Sequence, residues 1–272
     1  MVDWLGELNL EVTGPPVSMG VRKLGDRPWI LIDEFFDEEL LLKSELAKDE
    51  SKEVFMAEEN TENAGVSVLS LIRKSGVQLT DIRCDHPLER AGLSIQEDLC
   101  LMHRTSEGWV LKAASLCFPS RWQLREKIGK TLGNIHGPVE GYEVHLSQKV
   151  NNFFDRLGHE PVWRRNWFIH PDNNLYQPKR PLNGDPIIGF GEIGKELFVR
   201  SERQTLQLLD LPGWILFTIR VQRTSLRDLL TRRKEEFHTW ILEGPDSHHD
   251  HKGLAVKQVE EIRKALISST YL

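Results

Sequence analysis

Two β-rich runs standing close together exclude more folds than any other feature of this chain. Asp98-Leu99-Cys100-Leu101-Met102 and Trp109-Val110-Leu111-Lys112-Ala113-Ala114 are separated only by the polar stretch His103–Gly108. Parallel neighbours need a crossover of about a dozen residues or more, whereas antiparallel neighbours close over a short turn. The pair therefore reads as a hairpin. An antiparallel sheet is favoured over a doubly wound parallel one.

The other segments fill in an α+β pattern. Trp29–Asp33 reads as a strand, and Asp37-Glu38-Glu39 opens an amphipathic helix through Leu40, Leu41 and Leu46 with acids in its first turn. Residues 47–63 read as a charged helix-to-helix surface stretch. Ser120 is placed to cap a helix carrying Trp122, Leu124, Ile128 and Leu132, broken by Gly133 or Gly137-Pro138. Val150, Phe153, Phe154 and Leu157 fall at i, i+3, i+4 and i+7 before Gly158, the clearest helical face in the chain. Val162–Ile169 and Trp214–Ile219 read as strands, with a long Pro/Asn/Gly-rich loop from His170 to Gly194 between them. Leu197–Leu208 fits a strand or a helix. Helices over Leu226–Leu242 and Val256–Ile267 close the chain.

Composition narrows the function classes. With 272 residues and 39% hydrophobic content, the chain can bury a core without a covalent staple. Its three cysteines lack CxxC spacing, which argues against a disulfide framework, a four-cysteine zinc site or an iron–sulfur cluster within this chain. A net charge of −6 gives no reason to expect nucleic acid or an anionic membrane as the main partner. Neither a signal peptide nor an apolar run of about 20 residues is visible, so the expectation is a soluble cytoplasmic protein.

Gly189-Phe190-Gly191-Glu192-Ile193-Gly194 matches the dinucleotide fingerprint, but it follows a Pro-rich loop and opens no βαβ unit, so a glycine loop is the better reading. His248-His249-Asp250-His251 lies between Pro245 and Gly253 and reads as a solvated connector, since adjacent histidines converge poorly on one ion. In Arg200-Ser201-Glu202-Arg203-Gln204-Thr205, read as a strand, Arg200, Glu202 and Gln204 share one face and Arg203 and Thr205 the other. Two readings stay open there: an edge strand with solvated charges, or a polar network lining a pocket. Trp163-Arg164-Arg165-Asn166-Trp167 leaves a similar choice between cation–π stacking and an arginine presented to an anion. His136, at a helix end before Gly137-Pro138, reads as structural or as a ligand.

Set side by side, Leu116-Cys117-Phe118-Pro119-Ser120-x-Trp122, Glu126-Lys127-Ile128-Gly129 and Ile135-His136-x-Pro138-Val139 resemble the alpha subunit of heme-dependent oxidative N-demethylase. Ser18–Val21, Trp29–Asp33, Gln96–Leu99, Arg165-Asn166-Trp167, Arg200–Leu206, Phe217–Arg220 and Lys252-Gly253-Leu254 continue the likeness in order. The resemblance implies a Per-ARNT-Sim-like antiparallel sheet with flanking helices, binding heme b. It implies a core over 96–225, an N-terminal extension over 1–95 and C-terminal helices over 226–272.

The activity implied is that of a monooxygenase, oxidising dimethylamine with O₂ to methylamine and formaldehyde. NADPH supplies electrons through flavin mononucleotide (FMN) and a [2Fe–2S] centre on partner reductase subunits. His136 is the expected axial ligand to the heme iron, with His103, His145 and His170 as alternatives. Arg164 and Arg220 are expected beside the cofactor. Glu202 or Glu140 would hold the ammonium substrate, Tyr142 would assist by a hydrogen bond, and Arg165, then Arg203, would face bound oxygen. A heme sensor or storage module, or a non-catalytic scaffold, is the rival expectation.

Overall fold

In a computed structural model, which describes residues 3–14, 19–136 and 147–268, the hairpin forms as the spacing requires. Strands β3 (Asp98–Thr105) and β4 (Gly108–Ser115) run further toward each other than the sequence pattern indicates, pairing from Leu99↔Ser115 to Thr105↔Gly108. The sheet around them has seven strands in the order β1-β5-β6-β7-β3-β4-β2, and every pairing is antiparallel. Its long members are β5 (Val162–His170), β6 (Phe198–Leu208) and β7 (Trp214–Ser225). The ambiguous run Leu197–Leu208 is thus a strand. Short edge strands β1 (Arg22–Lys23) and β2 (Phe55–Ala57) come from the first 95 residues and pair directly with β5 and β4.

Alternation divides the sheet into two surfaces. On one, which we call the inner face, Cys100, Met102, Leu206, Ile219 and Val221 pack with Phe118 and Leu124. Helices α5 (Leu132–His136) and α6 (Ser147–Asp155) cover this face through Leu132 and Phe154, with Leu157 just beyond. On the outer face, Leu99, Leu101 and Leu216 pack against α3 (Glu62–Lys74) and α4 (Pro87–Gly92). Further along that face, Trp167, Ile169 and Val199 meet α8 (Leu226–Glu243) and α10 (Val256–Ser268). Among the described residues no helix is long and apolar enough to cross a membrane.

Four local expectations are corrected. Trp29–Asp33 is not a strand: the backbone N–H groups of Leu31 and Asp33 donate to the side chains of Glu97 (2.7 Å) and Gln96 (3.2 Å) rather than to a ladder. The 47–63 stretch contains the end of α1 (Phe36–Asp49), the single turn α2 (Ser51–Val54) and β2, so part of it belongs to the sheet. Ser120 caps no helix. Its hydroxyl turns to Arg200 and Glu202, Arg121 enters the left-handed region at φ 65°, and only a 3-10 turn (Leu124–Glu126) precedes α5. Gly129, at φ 72°, then redirects the chain; a Cβ there would meet Glu58 Oε1 at 2.6 Å.

The histidine run is α9 (Asp246–His251), not a solvated connector. His249 is buried, donating from Nε2 to the Trp240 carbonyl (3.0 Å), and His248 reaches the Gly14 carbonyl (3.1 Å). The glycine run at 189–194 leads through the short α7 (Ile193–Glu196) into β6, with open space around Gly189 and Gly191.

Candidate functional site

The pairing of β5 with β6 decides which charged side chains meet. Arg164 lies opposite Gln204, Arg165 opposite Arg203, Asn166 opposite Glu202 and Phe168 opposite Arg200. Strand alternation therefore gathers Arg164, Asn166, Arg200, Glu202 and Gln204 on the inner face, beside the apolar surface of Leu206, Ile219 and Val221. The reading of a polar network, rather than solvated charges on an edge, is the one this register supports. β6 is interior to the sheet.

Buried charges must be satisfied, and Arg200 is so to an unusual degree. Its guanidinium donates to Ser120 Oγ (2.8 Å) and to the carbonyls of Phe118 (2.8 Å), Asn174 (2.9 Å) and Leu175 (3.0 Å). Burial pulls its pKa down to about 10 against the opposing pull of Glu202 and Asp98. Through these bonds Arg200 pins the start of the long loop onto the sheet, and a bidentate Arg121–Asp185 pair holds the loop further along. Glu202, only 7% exposed, accepts from Ser120 Oγ (2.5 Å) and Gln204 Nε2 (2.8 Å). Among the described residues it makes no ion pair.

Lys252, at the C-terminal end of α9, joins this cluster from the strand edge. Its Nζ donates to Asn166 Oδ1 (3.0 Å) and sits 5.1 Å from the Trp167 ring centre. Desolvation, reinforced by the nearby Arg164 cation and opposed by Glu202, lowers its pKa to about 7. Arg164 is also half-buried, and among the described residues nothing accepts from its Nε. A cavity of about 120 Å³ opens beside these groups, between β5, α9 and the N-terminal segment. Sequence reasoning missed Lys252. Its position depends on Gly253, whose φ of 86° lets the chain close on β5, with the Lys252 carbonyl accepting from Ile169 N (2.8 Å).

Arg165, Arg203 and Arg220 lie on the outer face. Arg165 donates to Glu7 (2.9 Å), Ser201 Oγ (2.8 Å) and Gln222 Oε1 (3.0 Å), and burial brings its pKa down to about 10. Arg203 donates to the carbonyls of Pro28 (2.6 Å) and Trp29 (3.2 Å) and stacks over Trp163. Arg220 pairs with Asp33 (2.6 Å) and Glu39 (2.8 Å). The sequence leads one to expect Arg165 and then Arg203 to face bound oxygen and Arg220 to lie beside the cofactor; the contacts that all three make here fasten the N-terminal segment to the surface opposite Glu202.

His136 is the last residue of α5; its side chain, with Glu140, Tyr142 and His145, lies outside the described residues. Of the alternative ligands, His103 stacks on Trp214 with ring centres 4.3 Å apart. His170 shares a hydrogen bond with Gln177 (2.8 Å), and its pKa falls to about 4 through burial and the charges of Arg121 and Arg200. Among the described residues no group of three or more His, Cys, Asp or Glu is placed to hold a metal ion. A single axial ligand needs no such group.

A family model described as haem-dependent oxidative N-demethylase, alpha subunit-like, matches residues 72–260. That span includes the hairpin, both helices of the inner face, β5 to β7 and Lys252. No curated protein matches the chain.

Proposed function

The chain belongs to the haem-dependent oxidative N-demethylase, alpha subunit-like family, and from that premise we propose that its inner face binds heme b and oxidatively demethylates a small secondary amine such as dimethylamine. The hairpin, the helical connection and the β5-β6-β7 meander support the Per-ARNT-Sim-like reading of the sheet. The residues present fit the cofactor. The inner-face apolar side chains that stay only partly buried, Val162, Leu208 and Phe217, suit a porphyrin ring, and an unsatisfied Arg164 Nε near them suits a carboxylate. His136 would be the axial ligand, and Arg164 would hold the anionic edge.

The observation that carries the substrate reading is Glu202, a buried carboxylate without an ion-pair partner among the described residues. A desolvated carboxylate calls for a cation, and a secondary ammonium supplies one together with N–H donors. Ser120 and Gln204 fix the carboxylate's orientation, leaving its remaining lone pairs for the substrate. Heme, when bound, supplies the activation of O₂. Each turnover would place one oxygen atom in formaldehyde and the other in water, consuming two electrons and two protons and leaving the primary amine. We assign electron delivery to NADPH-dependent flavin and iron–sulfur partner subunits, FMN and the [2Fe–2S] centre being theirs. Arg165 and Arg203, spent on the outer face, take no part in this reading.

Hemin added to the full chain is expected to give a Soret band that dimethylamine perturbs and tetramethylammonium barely changes. Glu202→Gln keeps the shape and removes the charge. A charge-assisted bond contributes roughly 1.5–3 kcal/mol, so amine affinity should fall by about one to two decades. A colourless protein removes the reading. A heme protein indifferent to amines makes it a sensor or storage module instead.

A further inference from the structure

The margin of β5 carries two cations with too little to neutralise them, beside a cavity whose lining also includes the outer-face residues Trp163, Arg165 and Trp167. Arg164 and Lys252 approach from different elements, β5 and α9, and converge on one small cavity. Among the described residues neither has an ion-pair partner: Lys252 Nζ has only the neutral Asn166 Oδ1, and Arg164 Nε has nothing. The one carboxylate whose charge acts on both is Glu202, which makes a direct ion pair with neither. Two half-buried cations side by side repel each other unless an anion is brought to them.

We infer that this cavity is a carboxylate seat, in which Arg164 and Lys252 together receive one carboxylate of a bound ligand. At about 120 Å³ it has room for a few water-sized groups and none for a macrocycle. Only an acid group projecting from a larger ligand, or a free small carboxylate, fits. The first source rests on the heme reading above; the second does not. The geometry suits either: Arg164 offers fixed planar donors, and Lys252 a point charge held 5.1 and 5.9 Å from the ring centres of Trp167 and Phe168.

The seat also carries a proton switch. The charged and titratable groups around the Lys252 amine are Arg164 and Arg165 on β5, Glu202 on β6, and His248 and His251 on α9. Glu7, Glu11 and Arg22 of the N-terminal segment complete the set. His251, its pKa lowered to about 4, stays neutral near pH 7 and adds no charge. Burial beside the Arg164 cation thus lets the Lys252 amine lose its proton far more readily than a free lysine. An arriving carboxylate favours the charged amine, so binding takes up a fraction of a proton near neutral pH. Below pH 7 the amine is already charged and affinity is flat. Above it, affinity falls by up to about tenfold per pH unit.

The test titrates the full-length, cofactor-free chain with hemin and with hemin dimethyl ester, following the Soret band and tryptophan quenching. A parallel arm measures protection of Lys252 from acetic anhydride by sodium formate. Wild type is expected to prefer hemin over the ester by about tenfold or more, and Lys252→Met to lose most of that preference. Lys252→Arg should keep the preference while losing the proton uptake, measured calorimetrically in two buffers. This variant separates charge from titration should the methionine variant fold poorly. Preference for hemin unchanged in Lys252→Met, with no protection by formate, overturns the inference. Formate protection in a chain that refuses hemin upholds the seat and removes the heme reading. Hemin uptake with no preference over the ester and no formate protection removes the seat and leaves the heme reading standing.

Discussion

Arg164 and Arg165 are adjacent in β5 and serve opposite surfaces of the sheet. The first faces Glu202 and Lys252 across the inner-face cluster, and the second is locked to Glu7 on the outer face. Two residues of one type, between the same two tryptophans, thus have different partners: the second fastens the scaffold, and the first keeps an Nε that nothing accepts from among the described residues.

That division predicts the effect of removing Arg165. Arg165→Leu takes from Glu7 its more buried partner, leaving it only the half-exposed Arg27 (2.6 Å), and removes the donor to Ser201 and Gln222. Losing one partner of a largely buried pair typically costs about 3–5 kcal/mol. The urea midpoint should drop accordingly, while amine affinity of the folded, heme-loaded fraction stays within about twofold. Unchanged stability with impaired oxygen use would return Arg165 to the active centre.

Arg200→Met should be among the most destabilising substitutions in the chain. It leaves the carbonyls of Phe118, Pro119 and Leu175 without this donor in a buried setting, at about 1–3 kcal/mol for each group left unpaired. Limited proteolysis should then cut within 171–192 well before the sheet. Cleavage elsewhere first would show that the loop is held by other means.

Acid sensitivity follows from His170. Its folded pKa of about 4 lies below its ordinary 6.5, so the folded state refuses a proton that the unfolded chain accepts. The stability this confers is complete above about pH 6.5 and is lost progressively as pH falls to about 4, on the order of 3 kcal/mol in all. His170→Gln should flatten the pH dependence of the urea midpoint across that window. An identical slope in wild type and variant would assign the acid transition to other groups.

Gly253→Ala tests how Lys252 is delivered. A methyl group there meets the Ile169 carbonyl oxygen at 3.0 Å on a backbone with φ 86°. Strain of about 1–2 kcal/mol is expected, together with loss of the protected Ile169 amide in hydrogen exchange. Retained protection would mean that the segment adapts without giving up its contact.

Much of this architecture is legible in the residues. The hairpin follows from the proximity of two β-rich runs, and α6 from the i, i+3, i+4, i+7 face of Val150, Phe153, Phe154 and Leu157. Register is what the pattern leaves out. Trp163 and Trp167 bracket Arg164 and Arg165 symmetrically, and only pairing with β6 fixes which arginine meets Glu202. Ser120 followed the local rule for a helix cap, but a buried arginine and carboxylate far away in sequence claimed its hydroxyl. Lys252 carries no periodic signal. Its environment comes from a strand some 85 residues earlier, brought near by one glycine turn.

The contact between Lys252 and Ile169 has a further consequence. β1 covers β5 only at Val162 and Trp163, so the strand beyond would present unpaired backbone groups to solvent, an invitation to a strand from another molecule. The Lys252–Gly253 segment occupies that margin at Ile169. A chain cut short before α9 would lose more than a ligand contact. It would expose an adhesive edge, and self-association would be its first symptom.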